Sequence, residues 1–257
     1  MSEPKTALIT GGSSGIGLEL ARCAAEDGST VILCADGAEK LEAAAAELRA
    51  GGATVQTVIA DLTTEQGLDT LWSAVADRPL DHVMANAGRG LGHSFVEQDW
   101  RDIADVIALN VTGTTALLHR VLRKMQARGQ GRVLATGSIA GFIPGSYHAI
   151  YNASKAYVDS LCSALRDETR DSGVTVTCLM PGLTESDFFA DADLGDTRIA
   201  EADKGDPRDV ARKGYEAMKA GRAGITPGVM NKIQTAFAGL IPDSVLAAMH
   251  RRLAEPR

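Results

Sequence analysis

Near its start this chain passes from a short apolar run, through a glycine turn, straight into an amphipathic stretch: "KTALITGGSSGIGLELARCAAEDG". That strand-to-helix step then recurs along most of the sequence. Apolar runs bounded by turn residues predict strands over Ala7–Thr10, Thr30–Ala35, Thr54–Ile59, His82–Ala85, Arg132–Thr136 and Val174–Met180. Between them, helical spacing predicts helices over Gly17–Asp27, Ala38–Ala50, Glu65–Ala76, Trp100–Arg128 and Tyr147–Ser172. Thr63 and Gln66 have the spacing of a capping box, Gly173 offers a stop for the last long helix, and Asp206-Pro207 offers an N-cap with a first-turn proline. Repeated alternation of this kind implies an α/β fold: a doubly wound parallel sheet with helices on both faces. No repeat, linker or composition break divides the chain, so a single domain over residues 1–257 is expected.

This topology gives scattered residues a common place. Ligands of open α/β sheets bind outside the carboxyl ends of the strands. Asn86 and Gly88, Ser138, and Pro181 each come directly after a predicted strand, so they converge on one cleft. Gly11, Gly15 and Gly17 let a ligand approach the backbone closely, and the following helix offers free N–H groups to a pyrophosphate. Their spacing is G-x-x-x-G-x-G rather than the G-x-G-x-x-G dinucleotide fingerprint. Asp36 ends the second strand, where an acidic side chain accepts hydrogen bonds from a ribose and repels a 2′-phosphate. Capping of the next helix is the competing reading of Asp36, and Lys40 stands close by.

Tyr151 and Lys155 are four residues apart and share one helical face. A free phenol titrates at about 10, and a cation within about 4–6 Å favours the phenolate. Ser138 adds a second hydroxyl from another element. Two hydroxyls and a cation suit carbonyl/alcohol interconversion: one hydroxyl exchanges the proton, the other holds the oxygen, and a cofactor supplies the hydride.

Taken in order, the turn from Thr10 to Gly17, Asp61-Leu62, Asn86-Ala87-Gly88, Asn110 in "LNVTG", Ser138, Tyr151 with Lys155, and Pro181-Gly182 with Thr184 resemble the short-chain dehydrogenase/reductase family in its single-domain form. The resemblance runs from Lys5 to about Phe188 and implies a Rossmann-type sheet. It implies that Asn110, Ser138, Tyr151 and Lys155 form the catalytic set, with Asn110 helping to hold a relay water. It places a nicotinamide dinucleotide against Gly11, Ser13, Ser14, Gly15, Ile16, Gly17, Asp36, Asp61, Leu62, Asn86, Ala87, Gly88, Tyr151, Lys155, Pro181, Gly182 and Thr184. NADP-binding relatives usually carry Arg where this chain has Asp36, so NAD(H) is the expected cofactor, with NADP(H) left open. Substrate-facing candidates are His93, Ile139, Tyr147 and His148. A solvated face is the plainer reading of both histidines, and packing that of Tyr147, which lies one turn before Tyr151. Residues 183–206 resemble the family's variable substrate lid, and 207–257 form a C-terminal helical segment. Relatives commonly form dimers or tetramers through their two long helices.

Composition narrows the classes. A net charge of −7 argues against nucleic acid as a partner, and the four cysteines are scattered, with no C-x-x-C. No apolar run reaches membrane-spanning length, and the five histidines form no metal-binding pattern. A cytoplasmic, metal-free enzyme on a small alcohol or carbonyl substrate is therefore expected. The alternatives are an NADPH-dependent ketoacyl-type reductase, a non-catalytic dinucleotide-binding scaffold, and a sugar-nucleotide epimerase or dehydratase.

Overall fold

Along each central strand, successive side chains enter two different hydrophobic cores. Leu8 of β1 (Thr6–Thr10) packs on one face of the sheet, and its neighbours Ala7 and Ile9 pack on the other. That division is the period of two expected of a strand covered on both sides. The computed structural model describes residues 4–185, 192, 194–195, 197–228, 231 and 241–256.

Seven parallel strands lie in the order β3-β2-β1-β4-β5-β6-β7. The others are β2 (Thr30–Ala35), β3 (Val55–Ile59), β4 (His82–Ala85), β5 (Gly131–Thr136), β6 (Val174–Leu179) and β7 (Gly224–Ile225). Six were expected; the two-residue β7 is too short to leave a periodic signal. One face is covered by α1 (Gly15–Glu26), α2 (Ala38–Ala50) and a later helix, Pro207–Lys219. The other is covered by α3 (Glu65–Val75), α5 (Thr114–Arg128) and α6 (Ala149–Glu168). Leu20 and Leu41 on the first face, and Leu71 and Leu118 on the second, are almost wholly buried. Burial of such a side chain stabilises the fold by roughly 1.5–3 kcal/mol.

Several boundaries differ from expectation. The expected helix over Trp100–Arg128 is α4 (Trp100–Ile107), a π turn over Ala108–Gly113, and then α5. The expected start at Tyr147 moves to Ala149, because Tyr147 has φ 63° and so lies in the left-handed region, outside the helix. The same helix ends at Glu168 rather than at Gly173, which instead makes a left-handed turn into β6. The N-cap of α3 is Thr64, whose side chain accepts from Gly67 N at 3.0 Å, and not Thr63, so the capping box does not form. Asp206 caps the helix Pro207–Lys219 as expected, accepting from Arg208 N at 2.8 Å.

The strand order reverses between β1 and β4, the neighbours from which the chain winds in opposite directions. A crevice opens at the carboxyl ends of two such strands. The glycine turn after β1, the Asn86-Ala87-Gly88 segment after β4 and the Ser138 turn after β5 all lie along it. No described helix is long and apolar enough to cross a membrane.

Candidate active site

At the β1 end, Gly11 and Gly15 have φ of 62° and 51°. A methyl group on Gly17 would run into Gly11 O, so helix α1 can begin this close to the turn only with glycine there. Ser14 is the N-cap of α1 in an extended conformation, with no side-chain cap hydrogen bond. Ser13 is half-buried, and Ile16 packs into the core beneath. The result is a cradle of backbone N–H groups at a helix N-terminus, a shape that suits a pyrophosphate.

Asn86 braces this cradle. Its Nδ2 donates to Gly11 O at 3.3 Å, and its Oδ1 accepts from Thr136 Oγ1 at 3.0 Å. The N–H groups of Asn86 and Ala87 both donate to Thr10 Oγ1 at 3.1 Å. The amide therefore ties together the ends of three strands. Gly88 sits directly against Asn110 Oδ1 and Lys155 Nζ.

Asp36 is exposed just beyond β2. The N-cap of α2 is Gly37, without a side-chain cap, so the competing capping role of Asp36 is not taken up. Asp61 lies in a tight turn, its Oδ1 accepting from Thr63 N at 2.9 Å and Thr63 Oγ1 at 2.7 Å, while Leu62 is buried in the core.

Ser138 is buried at the end of β5, where its Oγ accepts from Ala140 N at 3.1 Å and donates to Pro181 O at 3.4 Å. Ile139 follows, half-buried, its N–H bonded to Pro181 O. Tyr151 and Lys155 stand on the first turns of α6. Lys155 is buried and donates from Nζ to Thr136 O at 2.7 Å, with Nζ 5.7 Å from the centre of the Tyr151 ring. Tyr151 is half-buried as a residue, with its hydroxyl deep among protein atoms. Burial pushes that phenol up to about 12, a hydrogen bond with Ser138 pulls it down, and the charge of Asp159 pushes it further up. The phenol thus stands above its free value, not below it as expected, and it is the Ser138 hydrogen bond rather than Lys155 that favours the phenolate. Burial also lowers the Lys155 pKa, and Asp159 opposes that.

Asn110 lies in the π turn, buried. Its Oδ1 accepts from Arg89 N at 3.0 Å, and its Nδ2 donates to Arg89 O and Ser154 Oγ, both at 2.9 Å. The side-chain amide is engaged in holding the loop after β4.

His148 is buried rather than solvated, with its ring stacked on that of Tyr151. Tyr147 turns away and donates its hydroxyl to Glu255 at 2.8 Å, beyond the helix Asp243–Ala254. His93, with φ 70°, lies in a loop joined to Ala192 through Gly92. Thr184 is buried beside Pro181-Gly182, donating to Gly182 O at 3.0 Å and forming a bridge with Gly205. A third of the expected lid lies outside the described residues: 186–191, 193 and 196. So do 229–230 and 232–240 of the tail.

The sequence marks Thr10 only as the head of the glycine turn and assigns no part to Arg89, Thr136 or Asp159. Thr136 meets the site through its carbonyl, at Lys155, and its hydroxyl, at Asn86; Arg89 meets it through backbone atoms, which carry no side-chain signal. Asp159 did leave one, since it follows Lys155 by the same four-residue step that separates Lys155 from Tyr151.

A sequence model of the short chain dehydrogenases matches residues 5–196. The chain belongs to this family. A full-length relative of this short-chain dehydrogenase is an uncharacterized oxidoreductase of Myxococcus xanthus, 33% identical over 97% of both chains. A putative ketoacyl reductase of Streptomyces coelicolor is 34% identical over 73% of this chain and 74% of its own. Among solved structures, a short-chain dehydrogenase of Sphingobium yanoikuyae in complex with NADPH matches with TM-score 0.83 and 28% identity, over 92% of this chain and 94% of that one. A short chain dehydrogenase/reductase of Burkholderia phymatum in complex with NAD matches with TM-score 0.82 and 25% identity, over the same shares. The seven-stranded parallel sheet of this short-chain dehydrogenase, with helices on both sides, is the Rossmann-type fold that these proteins have.

Proposed function

We propose that this oxidoreductase interconverts a secondary alcohol and its carbonyl compound with NAD(H), using Tyr151 as the proton-exchanging group. The observation that carries this reading is the meeting of Ser138, Tyr151 and Lys155 at the carboxyl end of β5, beside the glycine cradle. The cradle fits a dinucleotide: Gly17 packs on Gly11 with no room for a side chain, and the α1 N-terminus has no side-chain cap. When bound, that cofactor supplies or accepts the hydride.

Ser138 holds the substrate oxygen, and its hydrogen bond lowers the cost of charging Tyr151. Tyr151 gives its proton to the oxygen during reduction and takes it back during oxidation. Lys155, aimed by Thr136 O, places a positive charge behind the phenol and reaches the nicotinamide ribose. Asn110 holds the Arg89 backbone, and with it the loop beside Gly88, in place. Asp36 receives the adenosine ribose, and Asp61-Leu62 flank the adenine. Thr184, next to Pro181-Gly182, meets the carboxamide. Residues 183–206 cover the substrate, and pairing of copies through α4–α5 and α6 gives a homodimer or homotetramer.

The placement of Asp36 supports NAD(H), because it is exposed and does not cap α2. NADPH-dependent ketoacyl reduction is the second reading, favoured by the Streptomyces relative and the NADPH-bound neighbour. Titration of the purified protein with NADH and NADPH, followed by nicotinamide fluorescence, separates them. Tighter NADH binding supports the Asp36 assignment, and tighter NADPH binding favours the ketoacyl reading. Binding of neither would leave a scaffold on this fold.

A further inference from the structure

Helix α6 carries a third polar side chain on the face that holds Tyr151 and Lys155. Asp159 is four residues past Lys155, so its carboxylate lies one turn further along the same face. The turn that carries Ser138 wraps around it. A methyl group on Gly137 would overlap Asp159 Oδ1, and one on Gly141 would overlap Oδ2. Cys178 of β6 donates its thiol to Oδ1 at 3.2 Å. Oδ2 is sealed from solvent and has no hydrogen-bond partner among the described residues.

A sealed acceptor without a donor costs on the order of 1–3 kcal/mol, and more for a charged group. A charge nearby offsets such a cost, and Lys155, one helical turn back on the same face and itself buried, carries one. Burial drives the Lys155 ammonium toward its neutral form, and Asp159 is the foremost influence holding the proton on. The relation is mutual. Burial raises the Asp159 carboxyl to about 6, while the Cys178 thiol, Lys155 and the Ser138 backbone N–H favour its charged form. The titratable groups around this carboxyl are Tyr151, Lys155 and Cys162 on α6 and Cys178 on β6; Cys162 and Cys178 are free thiols.

We propose that Asp159 is a positioning residue: its carboxylate fixes the Gly137–Gly141 turn, with Ser138, onto α6 and is the counter-charge that keeps Lys155 protonated. The inference deepens, and rests on, the assignment of Ser138, Tyr151 and Lys155 to proton exchange.

The test needs no substrate. Protein carrying 13Cε-lysine is titrated by NMR, with Lys155→Arg identifying the Lys155 signal, in the wild type and in Asp159→Asn. Loss of the counter-charge is expected to raise the Lys155 acid dissociation constant roughly tenfold or more. Amide exchange at Ser138 is expected to quicken by a similar factor as the turn loosens. A purely packing role would lower thermal stability without moving the lysine titration. An unchanged titration would overturn the counter-charge role, and unchanged exchange would overturn the role in the turn. Asp159→Ala, which empties the glycine cage instead of refilling it, gives the same reading if the amide packs poorly. NADH and NADPH are titrated in parallel into the wild-type protein. Binding of one of them together with an unmoved Lys155 overturns Asp159 alone, and binding of neither overturns the functional reading along with it.

Discussion

The imidazole of His148 lies on the phenol ring of Tyr151, with centroids 4.5 Å apart and planes inclined by 21°. His250 also stacks near the His148 ring, with a centroid distance of 6.3 Å, its Nδ1 within 2.8 Å of Ser146 O. His148 therefore links the proposed proton donor to the helix Asp243–Ala254. Burial, with help from His250, holds the His148 pKa down to about 3, so the ring that meets Tyr151 is neutral at physiological pH. A neutral aromatic wall fixes the phenol by shape rather than by charge. In His148→Phe the stack survives, and turnover should stay within about threefold of wild type. In His148→Ala the phenol loses its support, and turnover should fall by roughly tenfold or more. Equal kinetics for Phe and Ala would show that the stack does not position Tyr151.

Tyr151→Phe removes the hydroxyl and leaves the ring. A general acid–base group contributes about 10²–10⁴-fold, so turnover should drop by that order while NADH affinity changes little. A steady-state assay with a responsive alcohol, paired with NADH fluorescence, separates the two effects. Turnover near the wild-type level would remove Tyr151 from the chemistry.

Asp36→Arg replaces a ribose acceptor by a phosphate-binding cation at an exposed position. The ratio of kcat/KM for NADPH over NADH should rise by about tenfold or more, since an ionic hydrogen bond contributes about 1.5–3 kcal/mol. An unmoved ratio would show that Asp36 does not face the adenosine ribose.

Far from the cleft, His82 is buried at the start of β4, its Nδ1 3.5 Å from Tyr215 OH. Tyr215 in turn donates to Asp27 at 3.2 Å. Burial, reinforced by Lys5, lowers the His82 pKa from 6.5 to about 4. A lowered folded-state pKa means that the unfolded chain binds the proton more readily. The stability contribution is complete above pH 6.5 and is lost as the pH falls from there through 4. At about 1.36 kcal/mol per pH unit the loss is roughly 3 kcal/mol. Thermal unfolding of the wild type and of His82→Leu at closely spaced pH values should show a flatter acid decline in the variant. Parallel curves would place the acid sensitivity elsewhere.

What could be read from the sequence divides by physical cause. The six longer strands, the glycine turn and the Tyr151–Lys155 face were legible because each is a local pattern of apolar spacing or helical step. The π turn was not, because Val106, Asn110, Gly113 and Leu117 are all buried at ordinary helical intervals, and nothing in that spacing marks the wider turn. The left-handed backbone of Tyr147 was equally hidden, and with it the turning of its hydroxyl toward Glu255. His148 looked like a solvated histidine because the ring that covers it, His250, arrives from a helix about one hundred residues later. Asp159 shows the reverse: its spacing was in plain view, but its meaning depends on Gly137, Gly141 and Cys178, which come from other elements.

The π turn over Ala108–Gly113 changes how this region responds to a change in chain length. Such a turn holds one residue more than an α-helix needs. Deleting a single residue inside it would let α4 and α5 join as one unbroken helix, with Leu117, Leu118 and Val121 keeping their seats against the sheet. The loss would fall on the clamp between Asn110 and Arg89. In most helices a one-residue deletion is a folding lesion; here it would spare the core and disable the cleft.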